Sequence, residues 1–555
     1  MRKRVVGLSG FFLLLSAGVV LSSGSADISY FDISKNLEIM TSLYKELNTW
    51  YADSLHPDKL NRAGLSYMLD RLDPYTEFIP DEETEDYRTQ MTGRYGGIGA
   101  LISKRDDWVV ISEPYDGFPA ALAGLRAGDR ILEVDGVSAK GKNTDEVSRL
   151  LRGKPNTQVK VKYARLEKGG IEKTYDIIFT RLEIKIKNVS YSGMLNDSVG
   201  YIRLSQFTDR ASQEVISALS SLEKKQGMTS LILDLRGNPG GLLHEAINVS
   251  NIFTEKYTQI VSTKGKLAEW NRNYQCLNDP TDTKIPLVVL TDGGSASASE
   301  IVAGSLQDLD RAVVIGQKTF GKGLVQSTLD LPYNGKLKYT SAKYYIPSGR
   351  CIQAINYHDK DSLGSVQRVP DSLRAAFKTR NGRTVLDGSG IEPDLTIEPE
   401  KMTQITFSLF AKNILFDYAT RYRAEHNTIA PASSFRLTDA EYEDFMRFAK
   451  EQDYSYRTTS EKALEELKRR AKEEELDATI QQELEQMEKT LTLDKEKDLI
   501  KNKAQICSLL EEEIAARFYG NQGRTENAFH SDNEVTRALQ LLSKPADIKK
   551  MLSRK

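Results

Sequence analysis

The sequence predicts a multidomain α/β protein, and three observations support this fold class. Its 555 residues exceed what a single hydrophobic core can organise, so length alone favours roughly three or four domains. Between about residues 189 and 400, apolar β-rich runs alternate with helical stretches, which is the pattern of an α/β domain. From about residue 401 the chain becomes helical and rich in Glu, Lys and Arg, which indicates a separate helical extension.

Composition argues against several functional classes. Hydrophobic residues make up 39% of the chain and charged residues 28%, as in ordinary soluble globular proteins. A net charge of −2 gives no reason to expect nucleic acid as a partner. The three cysteines are far apart and the five histidines lack metal-ligand spacing. We therefore expect no disulfide framework, no bound metal and no cofactor.

Residues 1–25 have the sequence of a signal peptide. Arg2-Lys3-Arg4 forms a basic start, residues 5–21 are almost wholly apolar, and Ser22-Ser23-Gly24-Ser25-Ala26 suits a signal-peptidase site. The apolar run is at the short end for a membrane span, which favours cleavage over anchoring. We expect an exported, soluble mature protein that contacts a membrane only through an uncleaved signal segment.

Residues 26–92 are predicted to be helical. Apolar residues recur there at three- and four-residue steps and so share one helix face: Leu37, Met40, Leu43, Tyr44 and Leu47. Pro74 and Pro80 interrupt the helices.

Residues 93–182 are predicted to form short strands with two helices. The predicted strands lie at 108–111, 128–136 and 158–163, and the helices at 119–125 and 144–151. Asp135-Gly136 predicts a tight turn at the end of the second of these strands.

The segment 183–400 carries the alternation of strands and helices. Residues 229–235 and 286–291 are apolar runs of the kind buried in a sheet, and residues 206–224 and 299–306 are predicted helices. This alternation predicts an α/β core.

An apolar stripe among charged residues in the segment 401–555 predicts one long amphipathic helix. Its residues are Leu464, Leu467, Ala471, Leu476, Ile480, Leu484, Met487 and Leu491. Such a helix is either a solvated surface helix or a dimerisation or docking surface, and the sequence leaves both open.

Two short segments have a pattern typical of nucleophilic catalysis. Residues 293–300 (Gly-Gly-Ser-Ala-Ser-Ala-Ser-Glu) place serines in a turn of small residues, and residues 319–326 (Thr-Phe-Gly-Lys-Gly-Leu-Val-Gln) place Lys322 between two glycines. A serine hydroxyl is a poor nucleophile until a base takes its proton. A lysine can be that base where burial or a positive potential lowers its pKa. The segments have the form of a Ser/Lys catalytic pair.

The chain resembles the carboxyl-terminal processing peptidases, also called tail-specific proteases, which are serine peptidases with a Ser/Lys dyad and a PDZ domain. The resemblance covers about residues 72–399. It rests on motifs that occur in the order of the family: Leu72-Asp73-Pro74, Gly96-Gly97-Ile98-Gly99, Ala123-Gly124-Leu125, Gly128-Asp129, residues 234–241, the two segments above, and residues 345–350 and 390–394.

The resemblance implies a domain order. It consists of a signal peptide (1–25), an N-terminal helical segment (26–92), an inserted PDZ domain (93–182), a Ser/Lys protease core of the ClpP/crotonase-like α/β fold (183–400) and a helical C-terminal extension (401–555).

Three serines compete for the role of nucleophile: Ser295, Ser297 and Ser299. In the family the nucleophile precedes the lysine by 25 positions, and 322 − 297 = 25, which selects Ser297 with Lys322 as the general base. Ser297 would begin a helix, where exposed N–H groups and the helix dipole favour developing negative charge. Ser299 is assigned to capping or to solvent. Gln326 matches the residue that orients the lysine in the family.

Acyl transfer also needs hydrogen-bond donors for a tetrahedral oxyanion. The turn Asn238-Pro239-Gly240-Gly241 follows a predicted buried strand and can present bare backbone N–H groups. We expect Gly240 or Gly241 to act together with the N–H of Ala298. The choice between the two glycines stays open, and a plain glycine turn is the alternative.

The resemblance to PDZ domains also implies how a substrate is recognised. Such a domain adds a chain terminus as a strand beside its sheet, while a loop of backbone N–H groups captures the terminal carboxylate. Gly97, Ile98 and Gly99 match that loop. Arg152 matches a position that couples substrate binding to alignment of the catalytic site. Alternatively, Arg152 only offsets a helix dipole.

The resulting hypothesis is an exported, ATP-independent, metal-free serine endopeptidase of the bacterial periplasm or cell envelope. Its substrates would be polypeptides with apolar C-termini. A non-catalytic PDZ adaptor or scaffold of the envelope is the main alternative, and an acyl-CoA-type hydratase, which also uses Gly-Gly oxyanion loops, is the second. The sequence leaves open an adaptor protein, a homo-oligomer, and whether the PDZ domain opens or blocks the site at rest.

Overall fold

The computed structural model describes residues 26–360, 366–454, 456, 458–474, 477–491 and 495–553. The predicted signal peptide, residues 1–25, lies outside the described residues. Contacts divide the chain into two units, residues 1–79 with 328–339 and residues 80–327 with 340–555. None of the helices described is both long enough and apolar enough to cross a membrane.

The first unit is mostly helical, as the sequence predicts. Helices α1 (Ala26–Trp50) and α2 (Pro57–Asp70) precede strand β1 (Glu77–Ile79), which pairs antiparallel with residues 336–338. Pro57 begins α2 because its missing N–H would be unpaired at a helix start in any case. The central residues of the predicted apolar face of α1 are largely exposed: Leu37, Met40 and Leu43.

The second unit begins with helix α3 (Asp81–Thr92) and strand β2 (Arg94–Gly97). An antiparallel sheet follows, with the order β3-β4-β5-β7-β8 and with β6 paired to β5. Its strands are β3 (Ala100–Arg105), β4 (Trp108–Pro114), β5 (Arg130–Val134), β6 (Val137–Ser138), β7 (Gln158–Glu167) and β8 (Ile171–Thr180). Strand β9 (Leu182–Lys185) returns to pair with β2, so the chain enters and leaves this domain on paired strands.

Two helices pack against this sheet, α4 (Pro119–Leu122) and α5 (Thr144–Leu151). The apolar core between them includes Val109, Ile131 and Val147, none of which has exposed surface. The predicted Asp135-Gly136 turn is confirmed, since both residues have positive φ (48° and 79°) between β5 and β6.

The largest core surrounds a six-stranded sheet of order β10-β11-β12-β15-β16-β23. All neighbours are parallel except β10 and β11. The strands are β10 (Val189–Met194), β11 (Val199–Leu204), β12 (Ser230–Asp234), β15 (Leu287–Thr291), β16 (Val313–Gly316) and β23 (Leu395–Thr396). The two buried strands predicted at 229–235 and 286–291 are therefore confirmed as β12 and β15.

One face of this sheet is covered by three helices, α6 (Ala211–Gln226), α7 (Leu243–Phe253) and α8 (Ala298–Asp308). Alternation along β12 places Leu231 and Leu233 on this face and Ile232 on the other. Helix α6 begins five residues later than the predicted 206, because Arg210 has a left-handed conformation (φ 66°).

Further strands lie outside the central sheet, in smaller sheets. They are β13 (Gln259–Gly265), β14 (Arg272–Gln275), β17 (Leu324–Asp330), β18 (Lys336–Tyr345), β19 (Ile355–Lys360), β20 (Val366–Arg368), β21 (Ala376–Lys378) and β22 (Thr384–Leu386). Short 3₁₀ helices lie at 168–170, 268–270 and 371–373.

The C-terminal segment is helical. Its helices are α9 (Gln404–Ala411), α10 (Ile414–Glu425), α11 (Asp439–Lys450), α12 (Thr459–Glu473), α13 (Asp477–Leu491), α14 (Lys495–Lys501), α15 (Lys503–Ala528), α16 (Asn533–Leu542) and α17 (Pro545–Leu552). The prediction of one long amphipathic helix through residues 464–491 is wrong, because α12 and α13 are two helices that contact each other. Lys468 and Glu488 form an ion pair between them (2.7 Å).

The last two helices cover the second face of the central sheet. Val535, Ala538 and Leu541 of α16 and Ile548 of α17 share a buried cluster with strand residues such as Ile232. The parallel sheet is thus buried on both faces, as parallel sheets usually are.

Candidate active site

The three serines of the turn before α8 differ in their surroundings. Ser295 is buried and donates from Oγ to the carbonyl of Leu235 (2.8 Å). Ser299 is also buried and donates from Oγ to the carbonyl of Asn238 (2.9 Å), rather than lying at a cap or in solvent as we expected. Ser297 is partly exposed and forms a capping box with Glu300, whose carboxylate accepts from the backbone N–H of Ser297 (2.8 Å). Of these three serines, Ser297 is therefore the one that is accessible from outside the core.

Ser297 precedes a helix that is buried along its whole length. Every residue of α8 is buried, and Ala298 is its first residue. The backbone N–H of Ala298 finds no acceptor in the described part of the chain, as is usual in the first turn of a helix.

A buried carboxylate joins the serine turn to the lysine loop. Glu300 Oε2 accepts from the backbone N–H of Ser297 (2.8 Å) and of Lys322 (2.9 Å). Its Oε1 accepts from the N–H of Gly321 (2.7 Å) and from Thr319 Oγ1 (2.6 Å). Burial raises the pKa of Glu300 to about 7, although these donors oppose the shift. Glu300 therefore fixes both segments of the proposed dyad to one point.

Lys322 is partly buried on the loop between β16 and β17. The phenol of Tyr344, itself buried, donates to the carbonyl of Lys322 (2.6 Å), and it lies 3.2 Å from the carbonyl of Ser297. Gln326 lies on β17 and donates from Nε2 to Thr340 Oγ1 (3.4 Å). The tyrosine is thus a second direct contact between the two segments.

The Gly-Gly turn after β12 lies against the serine turn. A Cβ added at Gly240 would lie 2.9 Å from Ser297 Cβ and 2.8 Å from the N of Ala298. Asn238 holds the turn, because its Oδ1 accepts from the N–H of Gly240 (2.9 Å) and its carbonyl accepts from the N–H of Ala296 (3.0 Å).

The two candidate glycines differ in what their N–H groups do. The N–H of Gly240 is engaged by Asn238 (2.9 Å). The N–H of Gly241 has no acceptor within the residues that the structure describes. Of the two glycines, Gly241 is therefore the one whose N–H is not engaged by a described residue.

The predicted carboxylate loop borders a groove in the antiparallel domain. Gly97, Ile98 and Gly99 line a cavity of about 370 Å³ together with the start of β3 and residues Thr144 and Ser148 of α5. Gly99 has φ 73°, and a Cβ there would lie 2.5 Å from Phe118 Cβ, so the loop requires glycine at this position. Leu101, the second residue of β3, is 51% exposed at the groove.

Arg152 lies at the end of α5 and lines the same cavity. Its guanidinium donates to Asp86 of α3 and stands 5.2 Å from the ring centroid of Tyr95 on β2. It thus connects the groove to the segment that precedes the domain. Its place at the end of α5 also agrees with the alternative, in which Arg152 only offsets the helix dipole.

Family comparisons agree with this arrangement. Residues 198–360 match the model of peptidase family S41, residues 110–165 match a PDZ domain, and residues 405–542 match the probable PDZ-protease, C-terminal helical domain. A carboxy-terminal-processing protease of Bartonella bacilliformis is 36% identical over 358 residues, which cover 64% of this chain and 81% of that protein. The chain belongs to the carboxy-terminal-processing proteases of peptidase family S41.

Other carboxy-terminal-processing proteases are also similar. A probable CtpA-like serine protease of Staphylococcus aureus is 38% identical over 320 residues, which cover 57% of this chain and 62% of that protein. Among solved structures, the photosystem II D1 C-terminal processing protease is 27% identical and covers 65% of this chain and 92% of its own, with a TM-score of 0.35. The PDZ domain of a Vibrio cholerae carboxy-terminal protease, solved with a peptide, is 32% identical over 17% of this chain and 99% of its own (TM-score 0.16).

Membership of this family confirms three predictions. The chain is a serine-type peptidase, it carries a PDZ domain, and its fold combines mixed α/β sheets with a C-terminal helical domain. Motif reasoning missed Glu300 and Tyr344, and it named Asn238 only as part of the glycine turn, without its role in holding that turn. The Ser297-to-Glu300 spacing is that of a capping box and could have indicated Glu300, whereas no local pattern indicates Tyr344.

Proposed function

We propose that this carboxy-terminal-processing protease is an exported, ATP-independent endopeptidase that uses Ser297 and Lys322. Its protease core, residues 183–400, would be of the ClpP/crotonase-like type, with an inserted PDZ domain (93–182) and a helical C-terminal extension (401–555). Export to the bacterial periplasm or cell envelope rests on the signal sequence in residues 1–25.

The proposed reaction is acyl transfer. Lys322 Nζ takes the proton of Ser297 Oγ as the oxygen attacks the scissile carbonyl, and returns it to the leaving amine. The N–H groups of Ala298 and Gly241 would stabilise the oxyanion, with Gly240 as the alternative donor. Gln326 would orient the lysine. Water then hydrolyses the acyl-enzyme with the lysine again as base.

One observation carries this proposal above the others. Of the three candidate serines, only Ser297 is partly exposed, whereas Ser295 and Ser299 are buried and donate to backbone carbonyls, and Ser297 lies against Gly240 in the glycine turn. Nucleophile and oxyanion donors must meet in this way for acyl transfer.

The substrates would be polypeptides whose apolar C-termini bind in the PDZ groove. The loop of Gly97, Ile98 and Gly99 would receive the terminal carboxylate, and the edge of β3 would pair with the tail. Arg152 would transmit occupancy of the groove, because it joins the groove to Asp86 and Tyr95.

The first experiment compares wild type with Ser297→Ala and Lys322→Ala on an unfolded protein that ends in apolar residues. The same protein with a charged tail is the substrate control, and Ser295→Ala and Ser299→Ala are the control variants. We expect cleavage of the apolar-tailed protein to fall by at least ~1,000-fold in both dyad variants, since both groups act in one step. Mass spectrometry of the products and rates of gel loss measure it.

Two results would contradict the proposal. Cleavage that survives Ser297→Ala would mean that the nucleophile is misassigned. Binding of the tail without cleavage by the wild type would favour the non-catalytic adaptor.

A further inference from the structure

The oxyanion loop is held from both sides at the end of strand β12. Asp234, the last residue of β12, has no exposed surface and accepts from the backbone N–H of Arg236 (2.8 Å) and from its guanidinium (Nη2 to Oδ2, 2.8 Å). The phenol of Tyr201 donates to the same carboxylate. Arg236 is two residues before Asn238, which fixes the Gly240-Gly241 turn.

The Arg236 guanidinium also donates hydrogen bonds to two acidic residues at the start of helix α16. Nη2 donates to Asp532 Oδ2 (2.8 Å), and Nη1 donates to Asp532 Oδ1 (3.1 Å) and to Glu534 Oε2 (3.1 Å). All three side chains are 15% exposed, so water screens these ion pairs little. Burial disfavours the charge on Arg236, but Asp234 and Asp532 outweigh it and hold its pKa above the ordinary value.

The same helix end also reaches the lysine loop. Gln317 Nε2 donates to Glu534 Oε1 (3.4 Å), and Gln317 is five residues before Lys322, since 322 − 317 = 5. Asp532 is the cap of α16 and accepts from the N–H of Val535 (2.9 Å), so its position is fixed by the helix itself. The start of α16 therefore contacts the residues that lead into both proposed catalytic loops, Arg236 before the glycine turn and Gln317 before the lysine loop.

We propose that Asp532 and Glu534 are positioning residues for the peptidase reaction, acting through Arg236 on the oxyanion turn. This inference rests on the proposed function. It makes the docking of α16 on the sheet a condition for catalysis, because a turn released at Arg236 no longer holds Gly240 against Ser297 and Ala298. Misplacement of catalytic groups by about 1 Å can cost roughly 100-fold in rate.

The test is the double variant Asp532→Asn with Glu534→Gln, which removes two charges and keeps the side-chain shapes. We expect kcat on a fluorogenic peptide with an apolar C-terminus to fall by at least ~10-fold, while KM and the affinity of the tail peptide stay within about twofold. Affinity for a peptide boronic acid, which mimics the tetrahedral adduct, should fall by the same factor as kcat. The matched control is Asp547→Asn, an exposed acid in the first turn of α17, which should leave kcat unchanged.

To distinguish a positioning role from a purely structural one, the thermal midpoint of each variant is measured and its activity is assayed well below that temperature. Arg236→Lys keeps the positive charge but loses the planar guanidinium that donates to Asp234 and Asp532 at the same time. Its kcat should therefore lie between those of the wild type and the double variant. If the double variant does not fold, Glu534→Gln alone and Arg236→Lys decide by the same readouts.

The inference would be overturned if the folded variants had the same kcat and the same boronate affinity as the wild type. It would also be overturned if the decrease in kcat were only proportional to the fraction of unfolded protein. Failure of the proposed function looks different, because the wild type itself would then lack cleavage that depends on Ser297.

Discussion

Ser297 adopts a backbone conformation that L-residues rarely hold (φ 54°, ψ −110°). Such a conformation costs on the order of 1–3 kcal/mol and persists only where surrounding contacts fix it. Here the Glu300 carboxylate holds the N–H of Ser297, and Gly240 packs against its Cβ. The same Glu300 contact belongs to the capping box that Ser297 and Glu300 form at the start of α8.

Glu300 gives the fold a dependence on pH. Burial raises its pKa to about 7 from 4.5, so between these values the folded protein holds a proton that the unfolded chain releases. Its contribution to stability is complete below pH 4.5 and is lost as the pH rises through about 7. We expect the thermal midpoint of wild type to fall from pH 5 to pH 8 more steeply than that of Glu300→Gln, as measured by circular dichroism.

Glu269→Gln provides the control for this experiment, because Glu269 is an exposed carboxylate in a short 3₁₀ helix. Its slope should equal that of the wild type. Equal slopes for wild type and Glu300→Gln would show that Glu300 does not titrate in this range.

The turn between β12 and α7 requires glycine at the point where it meets the serine turn. Gly240 has φ 100°, and a Cβ there would lie 2.7 Å from the carbonyl oxygen of Ala296. Two of the three atoms of the serine turn nearest to this Cβ are backbone atoms, the O of Ala296 and the N of Ala298, which cannot move aside as a flexible side chain would; the third is Ser297 Cβ. The glycine turn and the proposed nucleophile Ser297 therefore constrain each other's position.

Gly240→Ala should abolish this fit. We expect peptidase activity to fall by at least ~100-fold, because the oxyanion donors move away from Ser297. Gly293→Ala, in the neighbouring turn, meets no atom within 4 Å and should keep near-wild-type activity. Steady-state kinetics and thermal midpoints of both variants measure the effect; equal activities would contradict the proposed oxyanion turn.

The PDZ domain and the helical extension are joined by specific contacts. The ring of Phe416 on α10 lies between the guanidinium groups of Arg105 and Arg517, at 4.1 and 4.0 Å. The Cα of Gly128 faces Thr420, whose Cγ2 would lie 2.3 Å from an added Cβ. The extension thus holds the substrate-binding domain as well as the protease sheet.

The helical extension is also part of the protease core. Helices α16 and α17 bury the sheet face that carries Ile232, Val288 and Val313. Without them an apolar face of the parallel sheet would meet water, which the hydrophobic effect disfavours. Residues after 500 therefore complete a fold that begins near residue 189.

Leu541→Ala tests this role. Leu541 is 5% exposed in the cluster under the sheet, so we expect a loss of about 2–5 kcal/mol in the free energy of unfolding. Leu467→Ala on α12, where the side chain is 44% exposed, should cost less than about 1 kcal/mol. Urea unfolding followed by tryptophan fluorescence measures both, and a similar small loss in each would mean that α16 contributes little to the core.

The sequence by itself determined the elements and the family. Strands such as β12 and β15 and the Asp135-Gly136 turn follow from apolar runs and turn residues, which act through local backbone preferences. The ordered motifs likewise indicated a serine peptidase with a PDZ domain, because motif spacing along a chain is a property of the sequence.

Only the tertiary structure decided which groups meet. The hydroxyls of Ser295 and Ser299 donate hydrogen bonds to backbone carbonyls about 60 positions away in the sequence. Arg236 forms ion pairs with acidic side chains almost 300 positions away. The periodicity of apolar residues also predicted one helix where the structure has two, α12 and α13. An apolar stripe can continue across the break between two helices, so the pattern does not show where one helix ends and the next begins. Hydrogen bonds and ion pairs between distant segments depend on folded coordinates, so no local pattern in the sequence contains them.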